Sequence, residues 1–197
     1  MKLISIAAMA ITILSITHFQ ILADDPQKPF LTNADLITKT CSSTPYNDLC
    51  LSILESSPNS NGTDLYGLTE IMLYIAAENV SLIHEHLMEL QNKTEMDTFM
   101  DECLTDCLES YQDATDQIED SITALEFKAY HDIKTWVAAA MNDGAVCENG
   151  FKEKPDHKSP IVEMSKVFDQ ICSIILAMAN ILSQGNRNMN SEDIFNF

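Results

Sequence analysis

Four stretches of this chain repeat apolar residues at intervals of three and four, and a bundle of α-helices is the fold that buries such stripes together. In residues 64–91 the repeat runs through Leu68, Ile71, Met72, Ile75, Leu82, Ile83 and Leu90, with an interruption near Asn79. Residues 94–127 carry it on Leu104, Cys107, Leu108, Tyr111, Ile118, Ile122 and Leu125. These fall within about 50° of one face at roughly 100° per residue. A third segment, 129–141, is expected to stop at Asp143-Gly144, where glycine suits a left-handed terminus. The fourth opens at Ser159-Pro160, an N-cap before a first-turn proline, and stacks Ile161, Met164, Val167, Phe168, Ile171, Ile174, Ile175, Met178 and Leu182 ahead of Gly185. Strand alternation is nowhere convincing. The expected fold class is all-α, an antiparallel up-and-down four-helix bundle. Residues 30–56 add two short helical pieces around a cysteine pair, and 185–197 reads as a polar, frayed tail.

Residues 1–23 read as an address. Lys2 precedes an apolar run of about 14 residues, shorter than the roughly 20 a spanning helix needs, and the segment ends on the small Ala23 before Asp24 and Asp25. A secretory signal peptide cleaved after Ala23 is expected, leaving an exported, soluble chain with no second long apolar run. Three sequons fit that route: Asn61-Gly62-Thr63, Asn79-Val80-Ser81 and Asn92-Lys93-Thr94. Asn61, in a Ser/Asn/Gly-rich loop, and Asn92, at a helix junction, are the expected acceptors; Asn79 falls inside a helical pattern, partly shielded.

Eleven Lys+Arg against 30 Asp+Glu leave a formal net charge of -19, which disfavours nucleic acid and acidic lipid as partners and favours basic ones. The excess is concentrated. Residues 94–127 contain no Lys, Arg or His, while Glu102, Asp106, Glu109, Asp113, Asp116 and Asp120 lie within about 80° of one another, opposite the apolar stripe. Like charges at i and i+4 repel by a few tenths of a kcal/mol per pair. An ordinary solvated face and a docking surface for a basic protein are the two readings of such a stripe. No Gly-x-Ser-x-Gly elbow, phosphate-cradling glycine loop or His-Glu-x-x-His motif is present. His84 and His86 stand at i and i+2, on different helix faces, and Cys103 and Cys107 lack a matching histidine, so no metal site is expected.

Six cysteines in an exported chain suggest disulfides, and six allow 15 complete pairings. Spacing narrows them. A Cys41–Cys50 bridge would staple two short helices that bury too little to hold themselves. Cys107 and Cys147 lie about 20 residues before and 18 after the turn between the second and third helices, at one height in a hairpin. Cys172 falls some 20 Å down the bundle from that height at about 1.5 Å per residue, and Cys103 a turn to the other side, so these two are expected to stay buried free thiols.

Taken in order, the Cys41-x8-Cys50 pair behind the leader, Cys107-Leu108-Glu109-Ser110-Tyr111-Gln112-Asp113-Ala114, and Ala138-Ala139-Ala140 before Cys147-Glu148-Asn149-Gly150-Phe151 resemble the plant invertase/pectin methylesterase inhibitor family. The run 147–154, CENGFKEK, is similar to the branch holding pollen proteins described as invertase inhibitors. The resemblance implies an N-terminal helical hairpin and linker (24–63) on a four-helix bundle (64–184), bridges at Cys41–Cys50 and Cys107–Cys147, and one-to-one inhibition of a cell-wall enzyme without catalysis or cofactor. It places the protein in the apoplast or cell wall, with the vacuole as the other destination. Acidic residues of the matching Cys-x-x-x-Tyr-x-Asp helix engage the enzyme cleft in similar pectin methylesterase inhibitors, which carries the role to Glu109, Asp113 and Asp116. Acid invertase inhibitors of the family carry Pro-Lys-Phe where this chain has Tyr130-His131-Asp132. Pectin methylesterase is therefore the expected partner. Acid invertase, engaged through Lys128, Tyr130, His131 and Lys134, is the alternative, and a non-inhibitory pollen-type bundle the third reading.

Overall fold

The computed structural model describes residues 33–92, 97–154 and 156–194, with 187–194 described by backbone alone. The expected signal peptide and its cleavage point lie outside the described residues. Two short helices come first, α1 (Asn33–Ser42) and α2 (Asn47–Ser56), followed by a 3-10 turn at Pro58–Ser60. Four long helices follow: α3 (Leu65–Gln91), α4 (Thr98–Glu126), α5 (Tyr130–Phe151) and α6 (Val162–Ile194).

Three of the four long helices begin where the sequence offers a side-chain cap, whereas α5 follows Ala129 without one. Asp64 Oδ1 accepts from Gly67 N at 3.0 Å at the start of α3. Asp97 Oδ1 accepts from Phe99 N and Met100 N ahead of α4. Before α6, Ile161 N donates to Ser159 Oγ, and that hydroxyl donates to Glu148 on α5. Such caps satisfy amides that have no partner within the helix.

The four long helices pack in a ring, α3 on α4, α4 on α5, α5 on α6 and α6 on α3, with α4 against α5 the most extensive pair. Their connections are too short for anything but antiparallel neighbours. The interior is built from Leu68, Met72, Ile83 and Leu87 of α3, Leu104, Tyr111 and Ile118 of α4, Ile133, Val137 and Phe151 of α5, and Phe168, Ile171, Ile175 and Met178 of α6. α1 and α2 pack on each other and mainly against α3 and α6, leaving α4 and α5 uncovered by the hairpin.

Several expectations need correction. α3 runs through Asn79 without a break. α5 does not stop at Asp143-Gly144 but continues to Phe151. Gly144 is buried and faces Tyr111, whose hydroxyl oxygen would lie 3.4 Å from a Cβ at that position. Its missing side chain thus serves close helix packing rather than termination. α6 likewise continues through Gly185 to Ile194. Leu82 is 49% exposed and Val167 is also exposed, because each sits about 100° round the helix from the neighbour that is buried, Ile83 and Phe168. Residues 162–186 also form a stretch long and apolar enough by composition to cross a membrane, which the sequence reading did not count. Phe168, Ile171, Ile174, Ile175 and Met178 of this stretch are buried in the bundle core, while Val162 and Val167 are exposed.

Candidate docking surface

On α4 the carboxylates Glu102, Asp106, Glu109, Asp113, Asp116 and Asp120 recur at steps of three and four, so the helix places them in one line. All six are exposed. The opposite face, with Leu104, Tyr111, Ile118 and Leu125, is buried. The imidazoles of His86 and His157 lie within 3.9 and 3.0 Å of Glu89 and Asp97, and neither contact is on the stripe. Gln112 Nε2 donates to Asp116 Oδ1 at 3.0 Å, which steadies one carboxylate without neutralising it.

α5 brings a further acid to this face that the sequence reading missed. Asp143 is half-buried, and burial pushes its carboxyl above the usual range, a bond from the Gln117 side chain pulls it back, and the charge of Asp113 raises it again. Glu109, Asp113 and Asp116 therefore share one surface, and Asp143 joins it from the adjacent helix. Its place there is set by the packing of α5 on α4, for which no pattern within one segment is a signal.

The Cys107–Cys147 bridge joins α4 to α5 beneath this surface, with Cα atoms 4.6 Å apart. Gly144 of α5 packs closely against Tyr111 of α4 at the same contact. The second bridge, Cys41–Cys50, ties α1 to α2. Cys103 and Cys172 are buried free thiols, and burial pushes both upward.

Residues of the alternative set are less gathered. Lys128 is exposed and occupies a left-handed conformation, φ 55°. Lys128 and Tyr130 line one hollow with Asp64 and Tyr66 at the start of α3. Burial and the charge of Asp64 raise the Tyr130 phenol. His131 is exposed and Lys134 half-buried along α5. Of the sequon asparagines, Asn61 and Asn92 are exposed, while Asn79 is half-buried with its side-chain oxygen enclosed and unpaired. Among the described residues no three His, Cys, Asp or Glu side chains converge as a metal site.

Three kinds of similarity bear on this geometry. The model of the plant invertase/pectin methylesterase inhibitor family matches residues 35–178. A protein named "Putative invertase inhibitor" from Platanus orientalis is 30% identical over 159 residues, covering 78% of this chain and 93% of that protein. A pectinesterase inhibitor from Actinidia deliciosa is 27% identical over 147 residues, covering 75% of this chain and 79% of that protein. The crystal structure of mutant form A of a pectin methylesterase inhibitor from Arabidopsis superposes with a TM-score of 0.63 at 20% identity, over 73% of this chain and 95% of that one. That likeness speaks for the fold, and the match over residues 35–178 covers most of the chain. By fold and by sequence together, this chain belongs to the plant invertase/pectin methylesterase inhibitor family.

Proposed function

We propose that this protein is a secreted inhibitor of a plant pectin methylesterase, binding one-to-one at the enzyme cleft through Glu109, Asp113 and Asp116. The observation that carries the reading is the exposed, uncompensated acidic face of α4. A helix with nine carboxylates and no basic residue between Thr98 and Glu126 repels itself along its length. Opposite charge from a basic partner relieves that repulsion, and long-range attraction speeds encounter. Family membership places the chain among inhibitors rather than catalysts, and the face lies on the helix pair that the N-terminal hairpin leaves open. The apoplast is the compartment that fits this partner; the vacuole fits the alternative, since a relative from Arabidopsis thaliana is named "Cell wall / vacuolar inhibitor of fructosidase 2".

Titration of the protein against a plant pectin methylesterase and an acid invertase in parallel tests the assignment. Stoichiometric loss of esterase activity with invertase untouched is the expected result. Invertase inhibition alone would replace it with the second reading, which is favoured by the strained Lys128 turn and the Platanus relative. Inhibition of neither enzyme would leave the non-inhibitory bundle.

A further inference from the structure

At the corner between α4 and α5, two aromatic side chains stand in water. Phe127 is 78% exposed and Trp136 is 39% exposed. Leaving large apolar surface in solvent forgoes the stabilisation that burial would give. The corner is nonetheless held in place: Lys128 N donates to Leu125 O and Ala129 N to Ala124 O, both at 2.8 Å, closing α4 in a Schellman arrangement. The φ of 55° that this arrangement demands of Lys128 is one a non-glycine residue adopts only at a cost.

Phe127 and Trp136 line one open hollow of about 350 Å³, floored by Ala124 and Ala129 and flanked by Asp120 and Asp132. No basic residue lines it. An aromatic face carries negative electrostatic potential, and two carboxylates add to it, so the hollow suits a cation. A planar guanidinium fits better than an ammonium, because it stacks flat on a ring while its edge donates to carboxylates. Asp120 is also the last carboxylate of the α4 stripe, which makes the hollow continuous with the acidic face.

We propose that this hollow receives an arginine side chain of the docked enzyme, the guanidinium stacking against Trp136 and Phe127 and pairing with Asp120 and Asp132. The assignment of that arginine to an enzyme rests on the inhibitor reading above; the site itself can be probed without any enzyme.

Trp136 is the sole tryptophan of the chain, so its fluorescence reports the hollow directly. The protein is titrated with N-acetylargininamide at constant ionic strength, with N-acetylcitrullinamide, equal in shape but uncharged, as the control. A saturable change in Trp136 emission is expected with the arginine probe, several-fold weaker or absent with citrulline, and lost in the D120N/D132N variant at unchanged helix content. An equal response to both probes, a linear response to arginine, or an undiminished response in D120N/D132N would overturn the site. A flat titration from a protein that still inhibits pectin methylesterase removes the arginine site alone. A saturable arginine response from a protein that inhibits neither enzyme supports the site and sinks the inhibitor reading.

Discussion

Tyr111 on α4 and Ser165 on α6, 54 positions apart, share a hydrogen bond through their side-chain oxygens across the diagonal of the bundle. Both residues are buried, and Phe168 stacks at a tilt with its ring centroid 6.1 Å from that of Tyr111. Burial, partly offset by the bond to Ser165, pushes the phenol up to about 12. Replacing Tyr111 by Phe leaves the Ser165 hydroxyl without its partner, and a loss of about 1–3 kcal/mol is expected in denaturant unfolding. The double variant Y111F/S165A should recover part of that loss, since removing both polar groups is cheaper than orphaning one. A Y111F variant as stable as the wild type would show that the bond contributes nothing net.

The turn at Lys128 offers a change of the opposite sign. Lys128→Gly removes the Cβ that disfavours positive φ, so stability should rise by up to about 1 kcal/mol. Chemical denaturation of the two proteins measures this. A loss would mean that the long side chain contributes packing that outweighs the strain.

The two disulfides should differ in weight. Cys107–Cys147 closes a separation of 40 residues and Cys41–Cys50 one of 9. Chain entropy alone assigns them about 4 and 2.6 kcal/mol. The C107S/C147S variant should therefore melt lower than C41S/C50S, and differential scanning calorimetry orders the two. The reverse order would place the stability of the fold in its N-terminal hairpin.

Asp97 links the cap of α4 to the segment before α6. Its carboxylate lies 3.0 Å from His157 Nε2 and is held below its ordinary range, first by that bond and then by the backbone amide of Met100. Because the folded carboxyl titrates lower than the unfolded one, its contribution is present above the unfolded value near 3.9 and disappears as pH falls through the lower folded value. Asp97→Asn keeps the cap but loses the charge. The variant should unfold more readily than the wild type at pH 5 to 6 and match it near pH 2, as followed by circular dichroism; a difference that persists in strong acid would assign the effect to packing.

For the acidic face, the E109Q/D113N/D116N variant keeps size and helicity while removing three charges, so folding should be retained or slightly strengthened. Inhibition of pectin methylesterase should weaken about tenfold or more, and the wild-type association rate should fall with added salt where the variant's falls less. A triple variant with full inhibition would redirect attention to Lys128, Tyr130, His131 and Lys134.

The helices and the acidic stripe were legible because each depends on spacing within one segment. Leu104, Tyr111, Ile118 and Leu125 declare a buried face without reference to any other helix, and Glu109, Asp113 and Asp116 declare an exposed one. What the sequence hid depends on neighbours. Gly144 looks like a terminus until Tyr111 is seen behind it. Asp143 becomes part of the acidic face only through the register of α5 on α4. Phe127 and Trp136 carry no mark in the sequence, because nothing local distinguishes an aromatic ring that finds a partner from one that does not.

The carboxylates of α4 are also carried on a constrained backbone before any encounter. Their backbone is a continuous helix joined to its neighbour by a covalent bridge, and four of the six are aspartates, whose short side chains have few rotamers to lose. Contact with a complementary surface therefore demands little backbone ordering, which removes one of the costs that offset the attraction. The same stiffness makes the face a ruler: it favours a partner whose cations repeat at the helical pitch and cannot adapt to one whose cations do not.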